Sequence, residues 1–189
     1  MALTADYLEI TGFITGIAGV YLTLKQKIWC FPVGLINVSI SLFLFYREHL
    51  FADALQQVVY IVLLVYGWYT WLHPANTRSL PVTNLEGKEA GMVLLLTFVC
   101  ALTLGYLMSQ FTTASLPWTD AAASSVAFSA QYLVARKKLQ NWHFWILVNL
   151  AYVLIYLYKD LPLYALLSVV YLVLAIAGLS DWKKQVQQP

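Results

Sequence analysis

Charge is the scarcest property of this chain. Of 189 residues, 11 are Lys or Arg and 9 are Asp or Glu, 11% in all, where a soluble domain carries about 25%. Too few charged side chains remain to coat a water-facing surface, which excludes a soluble globular fold. Cysteine is nearly absent. Cys30 and Cys100 sit in or beside apolar runs, which excludes a disulfide framework or a thiolate metal site. The three histidines, His49, His73 and His143, are scattered. There is no G-x-x-x-x-G-K-[ST] loop, no H-E-x-x-H pair and no G-x-S-x-G elbow, so ATP hydrolysis by a P-loop, zinc proteolysis and hydrolase chemistry are not expected. No ladder of acids and bases runs through the apolar segments as in a proton relay. The opening MALTADYLE lacks the basic region of a cleavable signal peptide. No cofactor, metal or nucleic-acid partner is expected, and the chain is read as a non-enzyme.

What is abundant is apolar surface: 61% hydrophobic residues and a mean hydropathy of +0.70. It is gathered into segments of about 18–22 residues, long enough to cross a ~30 Å hydrocarbon core as helix. The ~10-residue alternating segments of a β-barrel are missing. The expected fold is an all-α integral membrane protein with seven transmembrane helices. The spans are Asp6–Leu24, Trp29–Tyr46, Leu50–Leu72, Ala90–Gln110, Asp120–Ala135, Trp142–Tyr158 and Leu161–Trp182. HPANTRSLPVTNLEGKE reads as a loop before the fourth span, and TTASLPWTD as a break after it. The second and third spans, and the sixth and seventh, are expected to form tight antiparallel hairpins. Arg47 and Lys159 fall on one side of this arrangement. Lys25, Lys27, Arg78, Lys88, Arg136, Lys137, Lys138, Lys183 and Lys184 fall on the other. The positive-inside rule then puts the N-terminus outside and the C-terminus in the cytoplasm.

The chain repeats itself. Leu55–Trp71 and Leu166–Trp182 match at 8 of 17 positions with an offset of 111, including Tyr60/Tyr171, Gly67/Gly178 and Trp71/Trp182. Tyr21-Leu22 resembles Tyr132-Leu133, and Asn37 is paired with Asn149 at an offset of 112. The reading is a 3+1+3 parallel repeat: residues 1–72 and 114–189 as three-helix units, with 73–113 as polar loop and linker helix. Parallel repeats of this kind are a transporter architecture, with substrate held near the midplane between the halves.

Polar residues at membrane depth usually face a bundle interior or a watery cavity. Asp53, Gln57, Tyr60, Gly67 and Trp71 share one helical face, as do Asp120, Ser124, Phe128 and Gln131. Trp142, Trp145, Asn149, Tyr152 and Tyr156 form a third such face, and Asn37 lies one turn from Ser41. Amides offer donors and acceptors, and aromatic faces stack on flat rings, so together they suit a neutral or cationic heteroaromatic ligand. The candidate substrate-binding residues are Asn37, Gln57, Tyr60, Gln131, Trp145, Asn149 and Tyr152. The amides serve equally as helix–helix glue. Trp68, Trp71, Trp118, Trp142 and Trp182, near span ends, are read as an interfacial belt, and Gly67 and Gly178 as sites of close helix packing. Asp6, Glu9, Glu48, Asp53, Asp120 and Asp160 all fall toward the outer side. Glu9, Asp53 and Asp120 are taken as an acidic vestibule that concentrates a cationic solute, against the plainer reading that insertion merely excludes basic residues there.

FPVGLINVSISLFLFYREHLFADALQQVVYIVLLVYGWYTW resembles the signature of the PnuC-type vitamin transporters, and so does KKLQNWHFWILVNLAYVLIYLYK with the helix that follows it. The resemblance covers nearly the whole chain. It implies a seven-helix fold like that of full-length SWEET sugar transporters, often trimeric, in a bacterial inner membrane. It also implies facilitated diffusion of a vitamin, nicotinamide riboside in the best-known members and thiamine or riboflavin in others, with trapping by a cytoplasmic kinase. On these motifs the binding role falls to Asn37, Gln57 and Tyr60 in the first repeat and to Trp145, Asn149 and Tyr152 in the second. Where the family often has Glu-Asn-Trp, this chain has Gln140-Asn141-Trp142. A thiamine carrier is the rival within transport. Rivals of another class are a membrane enzyme, which would want a catalytic His or paired acids at membrane depth, and a non-transporting scaffold subunit.

Overall fold

Long runs of Leu, Val, Ile and aromatics leave each segment no way to satisfy its backbone in hydrocarbon except internally, and helices result. The computed structural model describes residues 2–74, 79–112 and 115–186, with side chains at all of these except 2–6 and 9. Among the described residues there are seven helices and no extended strand: α1 (Ala2–Leu24), α2 (Cys30–Arg47), α3 (Phe51–Leu72), α4 (Gly87–Phe111), α5 (Pro117–Ala135), α6 (Asn141–Tyr158) and α7 (Pro162–Val186). Pro117 and Pro162 open their helices, where a missing N–H goes unneeded and the fixed φ suits the first turn. This explains why α5 starts before the expected Asp120.

The helices divide into two compact units, Met1–Leu80 and Pro81–Pro189. In the first, α2 packs against both α1 and α3. In the second, α5 packs against α4 and α6, and α6 packs against α7. Thr97 Oγ1 and Ser129 Oγ lie 2.6 Å apart across the α4–α5 contact.

The turns of the two units are built alike. Between α1 and α2, Gln26 takes a left-handed backbone (φ 52°), and between α5 and α6, Lys137 does (φ 49°). His49 (φ 59°) and Asp160 (φ 56°) do so after α2 and α6. The bonds that close these turns also correspond. Lys25 N donates to Tyr21 O as Arg136 N does to Tyr132 O, and Leu50 N to Phe45 O as Leu161 N does to Tyr156 O. Every correspondence is an offset of 111. Asn37 is therefore equivalent to Val148, and Asn149 to Val38. The pairing of the two asparagines at 112 is corrected: one residue of helix turns a side chain by about 100°.

Four helices, α2, α3, α4 and α7, are long and apolar enough to cross a membrane by length and composition, and the apolar stretch of α1 is the shorter Ile10–Leu24. The remaining expected spans, in α5 and α6, are helical as well. α5 is the most buried helix, with Ala121, Ala123, Ser124, Ser125, Ala127 and Ala130 all enclosed. A helix that faces protein on most sides carries small and hydroxylated residues in place of Leu and Ile. By contrast, α4 exposes Met92, Leu94, Leu95, Leu96 and Phe98, an apolar surface of the kind that faces lipid or another protein surface.

Candidate functional site

Helix α6 carries the densest run of candidates. Its exposed side is aliphatic, with Leu147, Leu150, Leu154 and Leu157 outward. Trp142 and Asn149 are buried on the other side, and Trp145, Tyr152 and Tyr156 are half-buried. Asn149 Nδ2 donates to the Trp145 carbonyl at 2.8 Å, and Tyr152 stacks on Tyr156 with centroids 5.6 Å apart. Tyr156 continues to Tyr164 of α7, again at 5.6 Å. One helix face thus carries Trp145, Asn149, Tyr152 and Tyr156, with Asn149 buried and the three rings half-buried. Gln131 of α5 is half-buried.

The tryptophans at the helix ends correct the sequence reading. Trp71, Trp142 and Trp182 are not an interfacial belt: their exposures are 8%, 1% and 0%. Phe31 and Trp71 meet edge to face at 5.0 Å, and Trp142 and Trp182 meet at 5.4 Å in the same way. These pairs are equivalent by the 111 offset. The second is made possible by Gly178, where an added Cβ would lie 2.5 Å from the Trp142 ring. Trp118 does stay exposed, and it packs so closely on Gly105 that a Cβ there would collide with its ring. Trp68 is half-buried.

In the first unit, Asn37 bridges two helices. Its Nδ2 donates to Gly12 O at 2.6 Å and to Thr15 Oγ1 at 3.3 Å. Gln57 reaches back to Asp53 O at 3.5 Å, at the outer limit of a hydrogen bond. Asp53, Gln57 and Tyr60 are half-buried while Gly67 and Trp71 are fully buried, so the face inferred from their spacing does turn inward. Leu55, Val58, Val62 and Val65 face out.

The acidic candidates separate. Asp120 is held by Lys159, whose Nζ lies 3.0 and 2.8 Å from its two oxygens, with both side chains mostly buried. Its charge is neutralised locally, which weakens its claim on an incoming cation. Glu48 is likewise paired with Arg47. The side chain of Glu9 lies outside the described residues.

Sequence reasoning missed three features. Thr11, Gly12 and Thr15 form the seat of Asn37, and their signal was a pair of hydroxyls four residues apart in an apolar span. Asn141 Oδ1 and Trp142 Nε1 are buried without a partner among the described residues, and their signal was the adjacent Asn-Trp pair itself. The third feature is the residues that lead into α4. Thr83 N donates to Lys137 O and Leu139 N to Thr83 O, Leu85 N donates to Gln140 Oε1 at 2.7 Å, and Lys138 pairs with Glu89 at 2.8 Å. This strap pins the chain before α4 to the α5–α6 turn. Between their first and last turns the seven helices hold no Lys or Arg, and the acids there are Asp6 and Glu9 of α1 and Asp181 of α7; the remaining polar groups are chiefly amides, hydroxyls and aromatics. Such a set can hydrogen-bond and stack on a flat solute, and among the described residues no group of His, Cys, Asp or Glu is gathered to hold a metal ion.

A family model described as "Nicotinamide mononucleotide transporter" matches residues 6–184. The nicotinamide riboside transporter PnuC of Escherichia coli is 25% identical, over 94% of this chain and 85% of its own. The riboflavin/roseoflavin transporter RibM of Streptomyces davaonensis is 26% identical, over 92% and 83%. A solved structure described as "Crystal structure of the Vitamin B3 transporter PnuC" superimposes with a TM-score of 0.79 at 24% identity, covering 97% of this chain and 83% of that one, and shares its fold. A match that runs from the first helix to the last, on a multi-pass helical membrane protein, means that this chain belongs to the nicotinamide mononucleotide transporter family.

Proposed function

We propose that this protein carries nicotinamide riboside across a bacterial inner membrane by facilitated diffusion, with a cytoplasmic kinase trapping the vitamin by phosphorylation. The near full-length family match carries this reading, and relatives named as nicotinamide riboside transporters support it. The membrane-deep amides and aromatics support a flat cation, which aromatic faces attract. The architecture is read as a 3+1+3 parallel repeat like that of SWEET proteins, with residues 73–113 as loop and linker helix. The turns that recur at an offset of 111 support it. The N-terminus is placed outside and the C-terminus in the cytoplasm from the distribution of Lys and Arg. The protein is taken to assemble as a trimer, by family resemblance.

Asn37, Gln57 and Tyr60 are assigned to substrate binding from the first repeat, and Gln131, Trp145, Asn149 and Tyr152 from the second. Asp53 is assigned to attracting the cation. Riboflavin is the second reading, favoured by the similarity to RibM. Purified protein in liposomes, loaded with the kinase and ATP, should accumulate labelled nicotinamide riboside saturably, and riboflavin and thiamine poorly. Accumulation of riboflavin alone would move the assignment to the second reading. No flux of any of the three would end the transporter assignment.

A further inference from the structure

Four side-chain amides in these helices turn their nitrogen the same way. Asn37 Nδ2 gives to Gly12 O, Gln57 Nε2 to Asp53 O, Asn141 Nδ2 to Lys138 O and Asn149 Nδ2 to Trp145 O. A backbone carbonyl only accepts, so the partner decides which end of each amide is nitrogen. At Asn37 the constraint is complete. Thr15 has one hydroxyl proton and places it on Thr11 O at 2.7 Å, its shorter contact. Thr15 Oγ1 must therefore accept from Asn37. Both N–H groups of Asn37 are then spent, and what the side chain has left is Oδ1. No described residue donates to that oxygen, and Asn37 is only half-buried.

The equivalent place in the second unit carries none of this. By the 111 offset, Thr11, Gly12, Thr15 and Asn37 correspond to Ala122, Ala123, Val126 and Val148, which line an apolar groove. The seat of Asn37 is thus a feature of one repeat, not a requirement of the shared helix packing. No Lys or Arg lies between the first and last turns of any helix to balance a negative ligand.

We propose that Thr15 is a positioning residue for substrate selection. By consuming the second N–H of Asn37 it leaves an acceptor alone on offer. The site then favours a cationic ring that bears a donor, such as a carboxamide, and rejects the same ring bearing a carboxylate. This rests on the vitamin-transport reading above. A carboxylate set against an amide oxygen has no donor to meet and leaves both groups desolvated, which weakens binding by roughly 10–100-fold.

The test is a calorimetric titration of the detergent-purified protein with nicotinamide riboside and with nicotinic acid riboside, which differ only in that group. Wild type should prefer the amide by about 10–100-fold. Thr15→Val returns an N–H to the site and should narrow the preference by raising affinity for the acid, while Thr15→Ser should keep the wild-type ratio. If Thr15→Val melts early, Thr15→Ala, which removes the same acceptor without added bulk, takes its place. Equal affinity of wild type for the two compounds overturns the proposal, as does a ratio unchanged in the Val or Ala variant. If wild type binds neither compound, the nicotinamide riboside reading itself fails and this proposal falls with it.

Discussion

Gly178→Ala is the most informative single-methyl change in this protein. The added Cβ would sit 2.5 Å from Cζ2 and 2.6 Å from Cε2 and Cη2 of Trp142, where carbon atoms in contact prefer about 3.5–4.0 Å. The ring would have to retreat by roughly 1 Å. It has nowhere to go, because Trp142 is 1% exposed and abuts Trp182 edge to face. Overpacking of this kind costs about 1–3 kcal/mol. For a chain of this size that lowers the melting temperature by roughly 2–12 °C. Gly91→Ala is the control. Nothing lies within 4 Å of its new Cβ, and Ala is the better helix former by about 1 kcal/mol. Thermal unfolding in one detergent, followed by tryptophan fluorescence, compares the two. A Gly178→Ala protein as stable as wild type, or a Gly91→Ala protein that loses as much, would refute the packing argument. Relief of the Gly178→Ala defect by Trp142→Leu would place the strain on the ring itself.

Three further outcomes follow. Asn149→Ala or Gln57→Ala should abolish saturable vitamin uptake while membrane expression stays normal, and unchanged uptake in both would remove these residues from the site. Asp120→Asn should destabilise the protein by about 1.5–3 kcal/mol, the worth of hydrogen bonds to a charged group. Because the Lys159–Asp120 pair is neutral as a whole, the double change Asp120→Asn with Lys159→Met should leave the salt dependence of uptake unchanged; a strong change would restore Asp120 to an attracting role. Glu89→Gln should release Lys138, and the amides of the 81–86 strap should then exchange hydrogen faster than those of α5, which a mass-spectrometric exchange series reads directly.

Much of the architecture was legible because hydrocarbon imposes it. The spans, the short hairpin turns and the inward face of α3 follow from length and spacing alone. Two errors have separate causes. Trp142 and Trp182 lie at helix ends, where amphipathic rings usually mark the lipid interface, but Gly178 opens space for them inside, and only three-dimensional packing reveals that. The pairing of Asn37 with Asn149 was drawn from residue identity. The backbone turns set a register of 111, one residue different, and so put the two amides on different faces of equivalent helices. The turns recur at this offset and the amides do not. The seat of Asn37 on α1 escaped notice because threonines in apolar helices commonly bond only to their own backbone, as Thr11 also does to Tyr7 O.

In the reading proposed here the membrane-deep amides and aromatics form a vitamin site. The most direct measurement is calorimetric titration of the detergent-purified wild-type protein with nicotinamide riboside, thiamine and riboflavin under identical conditions. Nicotinamide riboside should bind saturably, and the other two little or not at all. Absence of binding by all three would contradict this reading, leaving the amides of α2, α3 and α6 as glue between helices.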